Sequence, residues 1–392
     1  MRAPAAFRTF RAPGGAIPPY STFPAGEPPP APRAARSRPS LAHAQSLRWP
    51  GRRAGPFGRD RTRPAPRRAG AVCGGVVARR TWRRRLRLAR RRIAYRLLFA
   101  VFALLRFVPA PLLHEVGRAS ARLAYVVLRR DRRRMRRNLR AAFPEETQRA
   151  RDAIARGVFL NVARHGVHVL LAQRRGRVRE DPDLPSRADW DELRATFLEK
   201  GAIGITAHLG AWEILGCGFT QDAPGRLGVF AHRLRFAPAN DWVERLRTMF
   251  GIRVFYIDAP ILSAVRYLKQ KNTLGILPDQ DLKRVPGIFV PFFGRPAWTP
   301  IGPAMLALAS GVPAYCIYCL WEGGAYRLLR EGPLPLPATG DRDEDIRIFT
   351  ETWTGVLERV IRTYPDQWVW FHRRWRTTPE TIARLQTEGP KP

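Results

Sequence analysis

The sequence predicts an α/β domain built on a mixed, largely parallel sheet flanked by helices. Three observations carry this. Short β-like runs alternate with helical patterns from about Asp189 to Thr378, the order that parallel crossover units produce. The runs are almost wholly apolar, as strands covered on both faces are. The chain of 392 residues is 45% hydrophobic, which supplies ample core.

In chain order, a helix is expected over Leu112–Leu128, after Pro109 and Pro111, which end what precedes them. A helical pattern runs from Thr147 to Ala172, and 173–187 read as a loop around Gly176, Pro182 and Pro185. A helix at about Asp189–Lys200 leads into the alternating region. Its strands are Ala202–Ala207, Leu227–Ala231, Ile252–Ile257, Thr273–Leu277 and Ala314–Leu320. Helices near Trp212–Phe219, Asn240–Phe250, Ile261–Lys269, Gly302–Ala309 and Glu344–Thr363 separate and follow them. Four parts result: a leader at 1–91, membrane-associated helices and a basic belt at 92–140, the catalytic domain at 141–378, and a tail at 379–392.

Composition narrows the function. Lys+Arg number 69 against 32 Asp+Glu, a net charge of +37. Residues 1–92 hold 23 Arg and 2 acidic residues, so +21 of that excess sits in the leader and its margin. Residues 1–66 also contain 14 of the 36 prolines, and apolar periodicity is slight. Such a stretch buries too little surface to offset the entropy of ordering and is expected to be disordered. It lacks the apolar segment of a secretory signal, and its make-up fits a transit-like leader or an upstream start codon equally. Four cysteines make no disulfide scaffold. Cys316 and Cys319 have redox-like spacing but lie in an apolar strand, where core thiols are the simpler reading. Helix-turn-helix, RNP and zinc-finger patterns are absent, which argues against a nucleic-acid partner despite the charge.

The basic residues instead border apolar helices. Ile93–Val108 is apolar apart from Arg96 and Arg106. At about 100° per residue, with Arg92 at zero, these fall at about 40° and 320° on one narrow stripe. The uninterrupted apolar run is Leu97–Leu105, too short for a clean span of about 20 residues. A helix lying in the bilayer interface is therefore expected, with the Arg129–Arg137 run on the cytoplasmic side of an inner membrane.

Chemistry concentrates in Ala202-Ile-Gly-Ile-Thr-Ala-His-Leu-Gly-Ala-Trp-Glu-Ile214. His208 stands at the carboxyl end of a strand, where α/β folds gather their catalytic groups. Gly210 opens a helix with Glu213 in its first turn, so the carboxylate can turn back to one imidazole nitrogen and leave the other as a general base. The spacing alone fits a structural histidine equally well. G-x-S-x-G, Walker A, H-E-x-x-H and G-x-G-x-x-G after a strand are all missing. Direct transfer to a hydroxyl by a histidine base matches the residues best.

From about Arg92 onward the chain resembles the bacterial lipid A late (secondary) acyltransferases, within the lysophospholipid acyltransferase superfamily. Seven blocks in order carry the resemblance. They are Arg137–Glu145, Ala207–Glu213, Arg233 with Asp241, Leu277-Pro-Asp-Gln280, Phe289–Gly294, Ala309–Pro313 and Trp368-Val-Trp-Phe-His-Arg-Arg-Trp375. Two departures stand out: His232 replaces a usual aromatic, and Leu234 a frequent proline.

The resemblance implies a glycerol-phosphate-acyltransferase-like fold. It also implies acyl transfer from acyl carrier protein thioester to a hydroxyl of a lipid A precursor, with no metal or redox cofactor. His208 matches the general base and Glu213 its partner. Arg233 matches an acceptor-phosphate arginine, Asp279 a further substrate-binding position, and Arg373 and Arg374 basic substrate contacts after His372. Read bare, Arg233 could pair with Asp241, and Phe292-Phe293 could be core. A lysophospholipid, ornithine lipid or phosphoinositol mannoside is the alternative acceptor.

Overall fold

The computed structural model describes Arg96 and residues 104–388, apart from 179–180, 232–236, 257–260 and 284. The leader at 1–91, most of the apolar segment 93–108, and Arg233 with its neighbours His232 and Leu234 lie outside the described residues. Residues 104–388 belong to one compact unit.

Among the described residues four helices precede the sheet, beginning with α1 (Ala110–Val127), α2 (Arg129–Ala142) and α3 (Gln148–Arg175). Thr147 caps α3, accepting a hydrogen bond from the Ala150 N–H, and Gly176 ends it at φ 66°, the left-handed stop that glycine supplies. Helix α4 (Arg187–Lys200) starts on a reciprocal capping box between Ser186 and Asp189. The alternating region follows as β1 (Ala202–Ile205), α5 (Trp212–Thr220), β2 (Leu227–Ala231), α6 (Ala237–Met249), β3 (Arg253–Tyr256), α7 (Ile261–Lys269) and β4 (Thr273–Ile276). A hairpin of β5 (Gly287–Phe292) and β6 (Arg295–Pro300) intervenes before α8 (Gly302–Ser310). The chain then forms β7 (Ala314–Glu322), β8 (Ala325–Glu331), α9 (Arg342–Thr363) and, last, α10 (Pro379–Glu388).

Six strands form one sheet in the order β3-β2-β4-β1-β7-β8. All neighbours are parallel except β7 and β8. Both faces are covered. Ala314, Cys316, Tyr318 and Leu320 of β7 belong to a core shared with α7, α8 and α9, while Tyr315, Ile317 and Cys319 belong to one shared with α4, α5 and α6. The strand period of two thus divides between two hydrophobic layers, each covered by helices. Cys217, Cys316 and Cys319 are buried free thiols, and burial pushes the latter two well above their usual range.

Two features depart from the sequence expectation. The β5–β6 hairpin occupies the Phe289–Gly294 block, where Pro291 and Pro296 argue against strands yet sit opposite each other in the ladder. Its turn places Phe293 at φ 52° and Gly294 at φ 66°, a conformation usually reserved for Asn-Gly. Tertiary contacts override that preference: the Phe293 N–H donates to Glu358 at 2.6 Å, and its ring packs on Phe143 and Trp370. Strand β8 follows a Gly323-Gly324 turn at φ 60° and 89°, a hairpin signal present in the sequence.

The basic belt divides. Helix α2 buries Met135, Asn138, Leu139 and Ala142, spaced as one helical face. Arg134 donates to the Phe371 carbonyl at 3.0 Å, and Arg136 forms a bidentate pair with Asp152. Arg129, Arg130, Arg133, Arg137 and Arg140 remain exposed. The belt expected to face lipid is therefore partly spent inside the protein. Among the described residues no helix is long and apolar enough to cross a membrane.

Asn138 ties its block to the carboxyl-terminal one. Its amide donates to the Trp370 and His372 carbonyls at 2.7 and 2.8 Å, fastening α2 to Trp368–Trp375. Asn138→Ala leaves two carbonyls without that donor and should destabilise the fold by about 2 kcal/mol, measured by urea unfolding.

Candidate active site

Strand register builds the site. Along β1 and β4 each residue lies beside the one 71 positions later, from Ala202↔Thr273 to Ile205↔Ile276. Three residues beyond both strand ends the same offset holds: His208 meets Asp279. Parallel pairing thus carries two side chains distant in sequence to one spot at the carboxyl edge of the sheet.

The backbone turn after His208 is fixed from both sides. The Gly210 N–H donates to the Gln367 carbonyl at 3.1 Å, and Ala211 N–H to Cys319 at 2.8 Å. Gly210 sits at φ 62°, and a Cβ there would lie 2.1 Å from the Cys319 oxygen, so only glycine fits. Gln367 braces the end of β7 by two hydrogen bonds to the Trp321 backbone, and the Val369 N–H closes back on the His208 carbonyl at 3.1 Å.

Asp279 is fully buried, and its carboxylate accepts three hydrogen bonds. These come from His208 N–H at 3.0 Å, His208 Nδ1 at 2.8 Å and Trp368 Nε1 at 2.9 Å. Burial alone would raise its pKa, but His208, through its charge and its hydrogen bond, holds the carboxyl far below its usual range. Burial likewise opposes a charged His208, yet Asp279 wins and raises the imidazole above its ordinary 6.5, with a smaller push from Glu213. A carboxylate can only accept, so Nδ1 carries the proton and Nε2 is left as the basic atom. The His208 side chain keeps 28% exposure. Gln280 straddles the ring, its amide nitrogen 3.3 Å from Nδ1 and 3.4 Å from Nε2.

Glu213 is not on the imidazole. Its carboxylate accepts from Arg247 of α6 at 3.0 Å, and it acts on His208 through charge rather than contact. Where the sequence pairs His208 with Glu213, the structure pairs it with Asp279. The sequence places Asp279 and Arg374 among substrate-binding groups; here the three hydrogen bonds of Asp279 are all internal, and Arg374 also faces inward. It is buried, donates to the Trp298 carbonyl at 2.7 Å and Thr299 Oγ1 at 2.6 Å, and braces the β5–β6 hairpin. Burial lowers it to about 10. Arg373 is exposed beside it. Arg233 lies outside the described residues.

Sequence reasoning missed part of the site wall. The Trp212 ring stands edge-on to His208 at 5.3 Å and packs on His165 of α3 at 4.3 Å. Burial depresses His165 to about 3, so it is neutral. His372 donates from Nδ1 to the Val369 carbonyl at 2.6 Å, lies 4.6 Å from the Trp368 ring, and burial brings it to about 4. Only the Trp-x-Trp-x-His spacing hinted at this wall; its placement depends on long-range hydrogen bonds.

The family profile described as bacterial lipid A biosynthesis acyltransferase matches residues 81–377. The chain is 25% identical over 287 residues to the lipid A biosynthesis lauroyltransferase of Escherichia coli (strain K12), covering 70% of this chain and 89% of that protein. It is 26% identical over 297 residues to the phosphatidylinositol mannoside acyltransferase of Mycolicibacterium smegmatis, covering 74% and 94%. To a lipid A biosynthesis acyltransferase of Haemophilus influenzae it is 26% identical over 287 residues, covering 70% and 85%.

The ion pair has a defined pH window. Asp279, held low, stabilises the fold above the ordinary carboxyl value of 3.8 and loses that contribution as pH falls towards its depressed value. His208, held high, contributes below 6.5 and loses it as pH rises through its raised value. In an NMR titration the His208 ring should titrate above 6.5 in the native protein. Asp279→Asn should bring it below 6.5, and Glu213→Gln should shift it down by less.

Proposed function

Since the chain belongs to the bacterial lipid A biosynthesis acyltransferase family, whose profile spans three quarters of it, we propose that this acyltransferase moves a fatty acyl chain from acyl carrier protein thioester to a hydroxyl of a lipid A precursor. The observation that carries the mechanism is the His208–Asp279 pair, which holds the proton on Nδ1 and leaves Nε2 as the basic atom beside the Gln280 amide. His208 Nε2 takes the proton of the acceptor hydroxyl as its oxygen attacks the thioester carbonyl. The C–S bond then breaks, and the leaving thiolate takes the proton back from Nε2. A thioester is already activated, so a base and a site that stabilises developing charge suffice, without a metal or redox group in the reaction.

Asp279 fixes the tautomer and stabilises the imidazolium that forms. Glu213, held by Arg247, adds a second negative charge behind the ring, so the dyad expected from the sequence becomes a histidine with two carboxylates. Arg233 and Arg373 bind acceptor phosphates, for which a bidentate guanidinium is suited.

The protein works at the cytoplasmic face of the inner membrane. Its support is the outer face of α1, where Leu112, Val116, Leu123, Val126 and Val127 are exposed. They fall within about 100° of arc, opposite the buried Leu113, Gly117 and Ala121. Arg122 lies about 40° beyond the edge of this stripe on the same helix, and Arg129, Arg130 and Arg133 are exposed on α2, next in sequence, available as headgroup contacts. A phosphatidylinositol mannoside is the second acceptor reading, favoured by the 26% identity to the mycobacterial relative.

His208→Ala should lower acyl transfer by about 10²–10⁴-fold in a folded protein. Assays pairing acyl carrier protein and coenzyme A donors with lipid A precursor and mannoside acceptors choose the substrates. A folded His208→Ala enzyme with full activity contradicts the mechanism. Leu123→Asp with Val127→Asp should release the protein from anionic vesicles in a flotation assay.

A further inference from the structure

A second cluster of chemical groups lies away from His208 and is unused by the mechanism above. His114 of α1, His168 of α3 and Asp183 of the loop before α4 each offer a ligand atom within 4.8 Å of one another. His168 is buried, and neither of its ring nitrogens has a hydrogen-bond partner. Two carboxylates flank it at a distance: Asp181 Oδ2 is 3.5 Å from Nδ1, and Asp183 Oδ2 is 3.9 Å from Nε2. The His114 ring meets His168 edge-on at 5.2 Å. A buried imidazole with both nitrogens unbonded is costly, and two carboxylates poised beside it without closing are unusual for a structural histidine.

The arrangement follows the chemistry of a metal site. Zinc takes His nitrogen and carboxylate oxygen at about 2.0–2.2 Å, which puts neighbouring tetrahedral ligands roughly 3.3 Å apart. The His168 Nε2 to Asp183 separation of 3.9 Å needs only a small contraction to reach that. A ligating histidine characteristically gives its other nitrogen to a carboxylate behind it, the place Asp181 holds. Asp181 is itself fixed, accepting from Arg175 at 3.1 Å and from the Asp183 N–H at 3.1 Å. Asp183 is anchored from the far side by the Tyr326 N–H, which donates to its carbonyl at 2.7 Å. The ligands are therefore held from a strand and two helices rather than from one mobile loop.

We infer that His114, His168 and Asp183 bind a divalent transition-metal ion of zinc type, with Asp181 orienting His168 and water completing the shell. The ion takes no part in acyl transfer. It joins α1, the helix with the exposed apolar stripe, to α3 and to the loop leading into α4, and it stabilises the folded state by mass action.

The test uses the full-length protein, stripped with a chelator and titrated with Zn²⁺ against a chromophoric competitor, with metal content read by mass spectrometry. One zinc per chain is expected, with a rise in melting temperature. Asp181→Asn should weaken zinc binding about 10–100-fold. His114→Ala and Asp183→Ala, both at partly exposed positions, should lose stoichiometric zinc while keeping native circular dichroism and acyl transfer. His208→Ala should keep its zinc. Absence of bound zinc in the wild-type protein overturns the inference, and this readout needs no variant to fold. So does one zinc per chain in both His114→Ala and Asp183→Ala, or loss of zinc in His208→Ala, which would place the ion at the catalytic pair.

Discussion

A buried carboxylate organises this protein. Asp279 has no exposure, and removing an ion of its kind from water costs several kcal/mol. Three donors offset that cost, two from His208 and one from Trp368. Each donor belongs to a different part of the fold's logic. The His208 backbone marks the end of β1, its ring is the reactive group, and Trp368 is the head of the segment to which α2 is tied through Asn138. The charge that tunes the histidine is therefore also what draws three distant stretches together.

The same arrangement constrains the residues around it. Gly210 must let its backbone pass against Cys319, Gln367 must brace Trp321, and Arg374 must support the hairpin from inside through the Trp298 carbonyl and the Thr299 hydroxyl. These residues touch no reacting atom in the proposed mechanism. They set where His208 and Trp368 stand, and a general base is useful only within hydrogen-bond reach of the hydroxyl it serves.

Much of this was legible in the sequence, for physical reasons. The five parallel-region strands announced themselves as apolar runs because helices cover both faces of the sheet, and the loop around Gly176 announced itself by its glycine and prolines. His208 was legible because it follows a strand and precedes a glycine. Its partner was not. Glu213 is near in sequence, whereas Asp279 is brought in by a register offset of 71, which no local pattern encodes. The β5–β6 hairpin was hidden by its prolines and by Phe293 at positive φ, stabilised by long-range partners: Glu358 on α9, Phe143, Trp370 and Arg374. Arg374 read as a basic substrate contact, and only the packed structure reveals the carbonyl and hydroxyl it serves.

The charge of +37 likewise resolves into separate roles. Part lies in the leader, part is spent on internal bonds such as Arg136–Asp152, and part is exposed on α2, next in sequence to α1 and its apolar stripe. The central claim concerns one proton: His208 carries it on Nδ1, towards Asp279, leaving Nε2 as the base. Nitrogen-15 NMR of histidine-labelled protein, taken above the His208 titration midpoint, tests this directly. The account predicts a protonated Nδ1 and a bare Nε2 for His208. A bare Nδ1 with the proton on Nε2 would contradict it.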